Sequence, residues 1–344
     1  MVRRLPLTPV LLLALIAGST VPIQSSPSAS SRPQLAVASP VRATVQLTLV
    51  TTDGLSIRRL TDTPGAVSSL AWSPDGRGIA FVHEIRGSRQ LWLIPQIGAA
   101  ARALTALPGD NTSPTWSPDG RRIAFISTRD GSPQVFLMST DGRGRRQVTR
   151  RGAHRTVSWS PDGRHLAVVA ARANGADLDL YVMRPDGSDR RRVNSARLLP
   201  HPGMMHPAWS RDGGHLAYVS RVGRAEQEVT IVSADGRARR RLSTGYAPAW
   251  SPDGRSLALV VSRVGDAQIY ITSADGTGSR RLTRGTGIFL LPTWAPDGSA
   301  IAFLAIRDGD LAVTVVRADG SGERRLLSTT GDLTGLPLFA WQPL

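Results

Sequence analysis

The 344-residue sequence contains no cysteine and no lysine. The first absence excludes disulfides, thiolate metal sites, cysteine nucleophiles and a lipid-modified N-terminal cysteine. The second excludes a phosphate-binding loop, which needs a lysine amine. It also makes all 42 basic residues arginines, a bias that points to the base composition of the gene rather than to function. A Gly-x-Ser-x-Gly elbow and a His-Glu-x-x-His helix are both absent, and His83-Glu84 stands alone. No catalytic residue, cofactor or metal ligand is therefore assigned. Long apolar runs are missing too. The longest, residues 10–18, is below the roughly 20 residues needed to span a bilayer. It follows Arg3 and Arg4 and precedes a stretch rich in Ser, Pro and Ala. Residues 1–30 accordingly read as an export signal, with an uncleaved anchor as the alternative. Residues 24–33 read as a flexible lead-in, and residues 31–344 as one domain. Its expected location is periplasmic or extracellular, with no transmembrane span in the mature chain.

What the chain has is a repeat. Residues 71–81, Ala-Trp-Ser-Pro-Asp-Gly-Arg-Gly-Ile-Ala-Phe, recur in near-copies at 115–125, 158–168, 208–218, 249–259 and 293–303, with a truncated copy at 340–344. The marker tryptophans, Trp72, Trp116, Trp159, Trp209, Trp250, Trp294 and Trp341, are 44, 43, 50, 41, 44 and 47 residues apart. That period belongs to a four-stranded propeller blade. Ser-Pro-Asp-Gly is a type I turn composition, with Pro presetting φ at the second position and Gly at the fourth. Apolar residues before and after the turn form the inner and second strands. A further apolar run about ten residues on forms the third, an Asp-Gly turn follows in most copies, and a short arginine-bearing strand closes the unit.

The two chain ends carry complementary fragments. Residues 34–39, 45–50 and 57–60 resemble second, third and outer strands lacking an inner one, and residues 338–341 resemble an inner strand lacking companions. Joined, they make a composite blade. The fold class expected is all-β: a propeller of four-stranded antiparallel blades, seven with the composite blade, or six with an N-terminal extension.

Arginines cluster on the outer strands at Arg58-Arg59, Arg145-Arg146, 190–192, 239–241, Arg280-Arg281 and Arg324-Arg325. Charge there discourages edge-to-edge pairing. It could equally dock a basic rim on envelope phospholipid or an acidic wall polymer. The net charge of +16 falls only to +14 without Arg3 and Arg4, the only charged residues in 1–30. Nucleic acid would be the default partner of so basic a chain, but the export signal argues against it.

The Ser-Pro-Asp-Gly and Asp-Gly turns share one face, so the variable loops occupy the other, where function usually sits. The longest of these is residues 194–207, with His201, Met204, Met205 and His206. Neighbouring units add His154 and Arg155 on one side and Tyr246 on the other, with Asp110, Asn111 and Phe289 further round. The histidines lack a fixed spacing and a nearby carboxylate, so an adaptable binding surface of Met, His and aromatics is expected rather than a metal site.

Residues 114–125, Pro-Thr-Trp-Ser-Pro-Asp-Gly-Arg-Arg-Ile-Ala-Phe, closely resemble the repeat of the TolB-type propeller family, and the resemblance covers about residues 34–344. It implies an exported, non-enzymatic module that binds an envelope protein or cell-wall component, as in the Tol-Pal system, whose propeller binds a peptidoglycan-associated lipoprotein. The chain departs from that pattern in lacking an α/β domain before the propeller, which puts a full Tol-Pal role in doubt. Similar repeats form the propeller of prolyl-oligopeptidase relatives, but no hydrolase domain follows here. The alternative expectation is a propeller lyase, lactonase or glycosidase-like hydrolase acting in the central channel. The oligomeric state is left open by the sequence.

Overall fold

The computed structural model describes residues 33–41, 44–62, 65–106, 108–172, 177–194, 206–222, 226–263, 265–330 and 338–343. All regular structure in these residues is β, and no helix among them is long and apolar enough to cross a membrane. From the N-terminus, β1 (Gln34–Val41), β2 (Thr44–Thr51) and β3 (Ile57–Arg59) pair antiparallel in that order. Four-stranded antiparallel groups then follow one another. They are β4 (Ala66–Trp72), β5 (Ile79–Ile85), β6 (Ser88–Ile94) and β7 (Arg102–Ala103); then β8 (Asn111–Trp116), β9 (Arg122–Ser127), β10 (Gln134–Ser139) and β11 (Arg146–Gln147). Next come β12 (Ala153–Trp159), β13 (Leu166–Ala171), β14 (Leu178–Met183) and β15 (Arg191–Arg192), and β16 (Ala208–Trp209), β17 (His215–Val222), β18 (Glu226–Ser233) and β19 (Arg239–Thr244). The series ends with β20 (Tyr246–Trp250), β21 (Ser256–Arg263), β22 (Asp266–Ser273) and β23 (Ser279–Arg281), then β24 (Ile288–Trp294), β25 (Ala300–Arg307), β26 (Asp310–Arg317) and β27 (Arg324–Thr330). The last strand, β28 (Leu338–Trp341), pairs antiparallel with β1, Leu35 opposite Trp341 and Ala38 opposite Leu338. The C-terminal strand thus supplies the inner edge that the N-terminal group lacks.

Each repeated sequence element has a local physical task. In the Ser-Pro-Asp-Gly turns the serine hydroxyl donates to the aspartate two residues on, at 2.6 Å for Ser73–Asp75 and 2.5 Å for Ser117–Asp119. The same aspartate accepts the N–H of Arg77 or Arg121. The fourth turn residue is left-handed, with φ 65° at Gly76, and a Cβ there would lie 2.9 Å from the Pro343 carbonyl. Glycine is required on both counts.

The tryptophans tie consecutive blades together. Trp116 donates its indole N–H to the Ala71 carbonyl, Trp250 to Ala208, Trp294 to Ala249 and Trp341 to Thr293. Trp72 donates to Ala340, across the junction of the two chain ends, at 3.0 Å. In every case the acceptor directly precedes the neighbouring blade's own tryptophan. Clusters of buried apolar side chains fill the junctions. One holds Ala36, Leu47, Trp72 and Phe81, and another Leu35, Val50, Leu304 and the fully buried Trp341.

A second repeated network escaped the sequence reading. Before the first apolar residue of the third strand sits a glutamine, and after the outer strand a threonine. Thr105 accepts the N–H of Leu91 at 2.9 Å and donates to Gln90 at 2.8 Å. Thr61 with Gln46, Thr149 with Gln134 and Thr283 with Gln268 repeat the arrangement. These buried polar groups therefore satisfy one another.

The arginine clusters also gain a role beyond edge protection. One arginine per blade occupies the same register position: Arg58, Arg102, Arg146, Arg191, Arg240, Arg280 and Arg324. Arg102 donates to the Thr140 carbonyl at 2.9 Å, Arg146 to Pro185 at 2.9 Å, and Arg280 to Ala318, in each case on the next blade's turn. Hydrogen bonds from Ser233 and Thr277 hold the turn carboxylates Asp235 and Asp275 below the usual range, and the charges of Arg191 and Arg240 on the preceding blade add to this. The arginines form a belt of clasps.

If the ring counts seven blades and is closed by β28, deleting residues 335–344 will lower the melting temperature sharply, and Trp341→Ala alone will cost about 3 to 5 kcal/mol in equilibrium denaturation. An unchanged melt after the deletion would instead fit six blades with an N-terminal extension.

Candidate functional site

The loops joining second to third strands, and each blade to the next, lie at the end of the ring opposite the Ser-Pro-Asp-Gly turns. The inner strands enter there, and their first residues form the candidate site. Near this end β4, β8, β12, β20 and β24 each carry an irregularity in register, between Ser68 and Ala71, Thr112 and Thr115, His154 and Thr156, Tyr246 and Ala249, and Leu290 and Thr293. Four of these bulges hold a non-glycine residue in the left-handed region, Ser69 at φ 49°, Ser113 at 55°, Ala247 at 51° and Leu291 at 57°. Such backbone costs about 1 to 3 kcal/mol per residue and re-aims the strand. In β12 the bulge is one residue shorter, and that residue is Arg155.

Pairing sorts the expected residues into two sets. Val67, Asn111, His154 and Phe289 share one register position, opposite His83, Ser127, Ala170 and Ala305. All four are buried. Phe289 stacks edge-on against Phe303 with centroids 5.7 Å apart, under the Arg307 guanidinium at 4.7 Å. It belongs to an apolar cluster between blades rather than to an open loop. His154 directs Nδ1 to the Pro133 carbonyl at 3.2 Å and lies 3.4 Å from the Thr149 hydroxyl, while Nε2 is buried without a protein partner. One register position further along, Ser68, Thr112, Tyr246 and Leu290 are partly exposed, whereas β12 carries the buried Thr156 there and exposes its unpaired bulge residue, Arg155. The Tyr246 hydroxyl accepts a hydrogen bond from Ser262 at 3.1 Å, and burial pushes its pKa up. Ile288, at the start of β24, is also exposed. His206 is partly exposed just before β16, and burial of its ring pushes its pKa down to about 4. His201, Met204 and Met205 lie outside the described residues.

Asp110 and Asn111, expected further round, are committed to structure. Arg89 grips Asp110 at 2.6 Å, outweighing the burial that would raise its carboxyl and holding it below the usual range. Asn111 donates to Gln90 at 2.9 Å.

The blade before the long 194–207 loop departs from the glutamine–threonine network. Asp179 and Asn194 replace the pair: Asn194 accepts the Leu180 N–H at 2.8 Å and donates to Asp179 at 3.1 Å. Arg172 adds a bidentate contact at 2.7 and 2.9 Å to this buried carboxylate. Burial, the largest single influence, would raise the Asp179 pKa, but the hydrogen bonds from Arg172 and Asn194 prevail and lower it. The next blade carries Glu228 at the equivalent position, ion-paired with Arg241 at 3.4 Å. Aligning the repeats by strand register, rather than by tryptophan spacing, exposes both substitutions.

His154 makes acid stability predictable. Burial pushes its pKa from 6.5 down to about 4, with the Arg190 charge adding to the effect and the Pro133 carbonyl opposing it. The folded state favours neutral imidazole, so the contribution is complete above about pH 6.5 and is lost as pH falls towards 4, a loss of about 3 kcal/mol. His154→Asn places at this position the residue that β8 carries. Urea unfolding at pH 7 and pH 4.5 will show a clearly smaller loss for that variant than for the parent chain.

With this geometry in view, comparisons with known proteins place the chain. The family model described as the TolB beta propeller domain matches residues 14–244 and 171–338. The first match begins inside the stretch read as an export signal. The Tol-Pal system protein TolB of Desulfosudis oleivorans is 33% identical over 111 residues, 32% of this chain and 24% of that protein. Matched stretches thus span about a quarter of the length of such curated relatives. Among solved structures, TolB from Acinetobacter baumannii aligns at a TM-score of 0.57 and 22% identity, covering 76% of this chain and 66% of the other. An oligogalacturonate lyase from Vibrio parahaemolyticus aligns at 0.63 and 14%, covering 79% and 83%. At such identities these likenesses concern the fold. The matched family model spans nearly the whole described chain, and the protein belongs to the TolB beta propeller domain family.

Proposed function

We propose that this protein is an exported, non-catalytic propeller that binds a protein of the cell envelope at its loop face and channel mouth. The observation that supports this reading is the division of the inner-strand residues. The groups left accessible at the loop end, Arg155, Tyr246 and Ile288, offer a guanidinium, a phenol and an aliphatic side chain. Those are the groups that anchor protein partners. The imidazole of His154 is buried, kept neutral and tied to Pro133, a poor position from which to exchange protons with a substrate. The strained bulges hold the accessible groups on a rigid frame, which reduces the ordering cost of binding. Relatives named for the Tol-Pal system point to an envelope partner by likeness.

Photo-crosslinking from position 155 in intact cells tests this. A discrete adduct with an envelope protein is expected from 155, much reduced by Ile288→Asp and absent from a label at position 237 on the opposite face. Equal labelling from both faces, or none from 155, would refute it.

A further inference from the structure

The turn between β2 and β3 breaks the repeat in one respect. Two residues after the turn aspartate other blades carry Arg143, Ser188 or Arg237, whereas the first carries Leu55. At the position paired with the third strand's last residues three blades carry Arg145, Arg190 and Arg239 and the others Ala101, Ser279 and Glu323, whereas the first carries the larger apolar Ile57. Leu55 is 83% exposed and Ile57 55%, the two most exposed large apolar side chains of the described residues. Nothing in the packing requires them: β3 is exposed along its whole length. The turn's own acid is engaged locally, Asp53 accepting from the Thr51 hydroxyl and the Leu55 N–H.

The chain enters the ring at the same spot. Gln34 pairs with Thr51, and the Pro33 carbonyl accepts the Thr52 N–H at 3.2 Å, so the first described residue lies at the start of the turn that carries Leu55. In the sequence the residues before it include the apolar run of residues 10–18. Directly after the turn lie the exposed arginines Arg58 and Arg59, and Arg58 begins the belt that continues round the rim in a chain of net charge +16. An apolar tip within an arginine rim matches the boundary between anionic headgroups and acyl chains.

We propose that the turn at residues 53–57 is a membrane-insertion point: Leu55 and Ile57 enter the interface of an anionic bilayer, and the rim arginines bind its lipid phosphates. The ring then meets the lipid at this edge of its turn face, with the loop face directed away from the bilayer. The inference does not depend on the partner proposed for that loop face, since the two sites lie at opposite ends of the ring and are read by different labels.

The absence of cysteine makes the test direct. Full-length protein carrying Leu55→Cys, labelled with an environment-sensitive fluorophore, is mixed with vesicles of phosphatidylcholine alone or of equal parts phosphatidylcholine and phosphatidylglycerol. Thr277→Cys, at the equivalent position of another blade, serves as control. Blue-shifted, enhanced emission is expected from position 55 with anionic vesicles only, and no change from position 277. The Leu55→Ser/Ile57→Ser variant, its fold checked by its melt, is expected to bind anionic vesicles at least about tenfold more weakly than the parent chain. Emission from position 55 that stays water-like with both vesicle types would overturn the proposal. So would a double variant that binds as the parent does, which would assign vesicle binding to the N-terminal segment. Burial of the label only on adding envelope proteins would make the turn a protein-docking site and also defeat it.

Discussion

The hydrogen bond from five of the seven repeat tryptophans to the carbonyl just before the neighbouring tryptophan holds the architecture together. A β-blade has two faces to cover and an inner edge to satisfy, and a single blade can do neither. The indole covers apolar area and removes an inner-strand carbonyl from the list of unsatisfied acceptors in one contact. Because donor and acceptor residues adjoin in sequence, a blade can be both giver and receiver, and the relation closes from the C-terminal strand back to the first complete blade through Trp72 and Ala340. Two blades depart from it: the indole nitrogens of Trp159 and Trp209 are buried without a protein acceptor. The two junctions left without this bond lie on either side of the blade that also exchanges glutamine and threonine for Asp179 and Asn194. The regular network is therefore relaxed on both sides of the blade that carries Arg155.

Around this inner ring the outer features are secondary fastenings. The Ser-Asp turn bonds fix each hairpin, the glutamine–threonine pairs close the loop end, and the arginine belt closes the rim. The belt also gives Arg102, Arg146 and Arg280 a structural role without appeal to a ligand, since a guanidinium reaches neighbouring turn carbonyls with several donors at once. What is left over is informative. Arginines and apolar groups that do not serve the repeat lie at Arg155 and Ile288 on one face and at Leu55 and Ile57 on the other.

The fold was legible in the sequence because its determinants are local and repeated. Trp spacing and Ser-Pro-Asp-Gly turns describe contacts within about one blade length, and the complementary end fragments add the long-range β1–β28 pairing that a repeat with split ends requires. The candidate site was less legible. His154 and Phe289 stood out as unusual residues near loops, yet strand register turns them into the packing, while Arg155 and Tyr246, their near neighbours, stay accessible. A one-residue difference in a bulge decides which way a side chain faces, and spacing between tryptophans does not encode it. The Asp179 and Glu228 substitutions were hidden for a related reason: the second strands and the connections from second to third strands vary in length, so only hydrogen-bonded register aligns the third strands.

The position of β1 carries a mechanical consequence. It is flanked by β2 along its whole length and by β28 along part of it, and its first residues adjoin the point where the chain enters. A pull applied through residue 33 runs along the strand axis and loads both hydrogen-bonded ladders in shear, so that several bonds must yield together. The same ring opened between two blades by a perpendicular force would peel one bond at a time. A propeller held by its N-terminal end can therefore transmit tension between whatever anchors that end and whatever its loop face grips, while its blades stay closed.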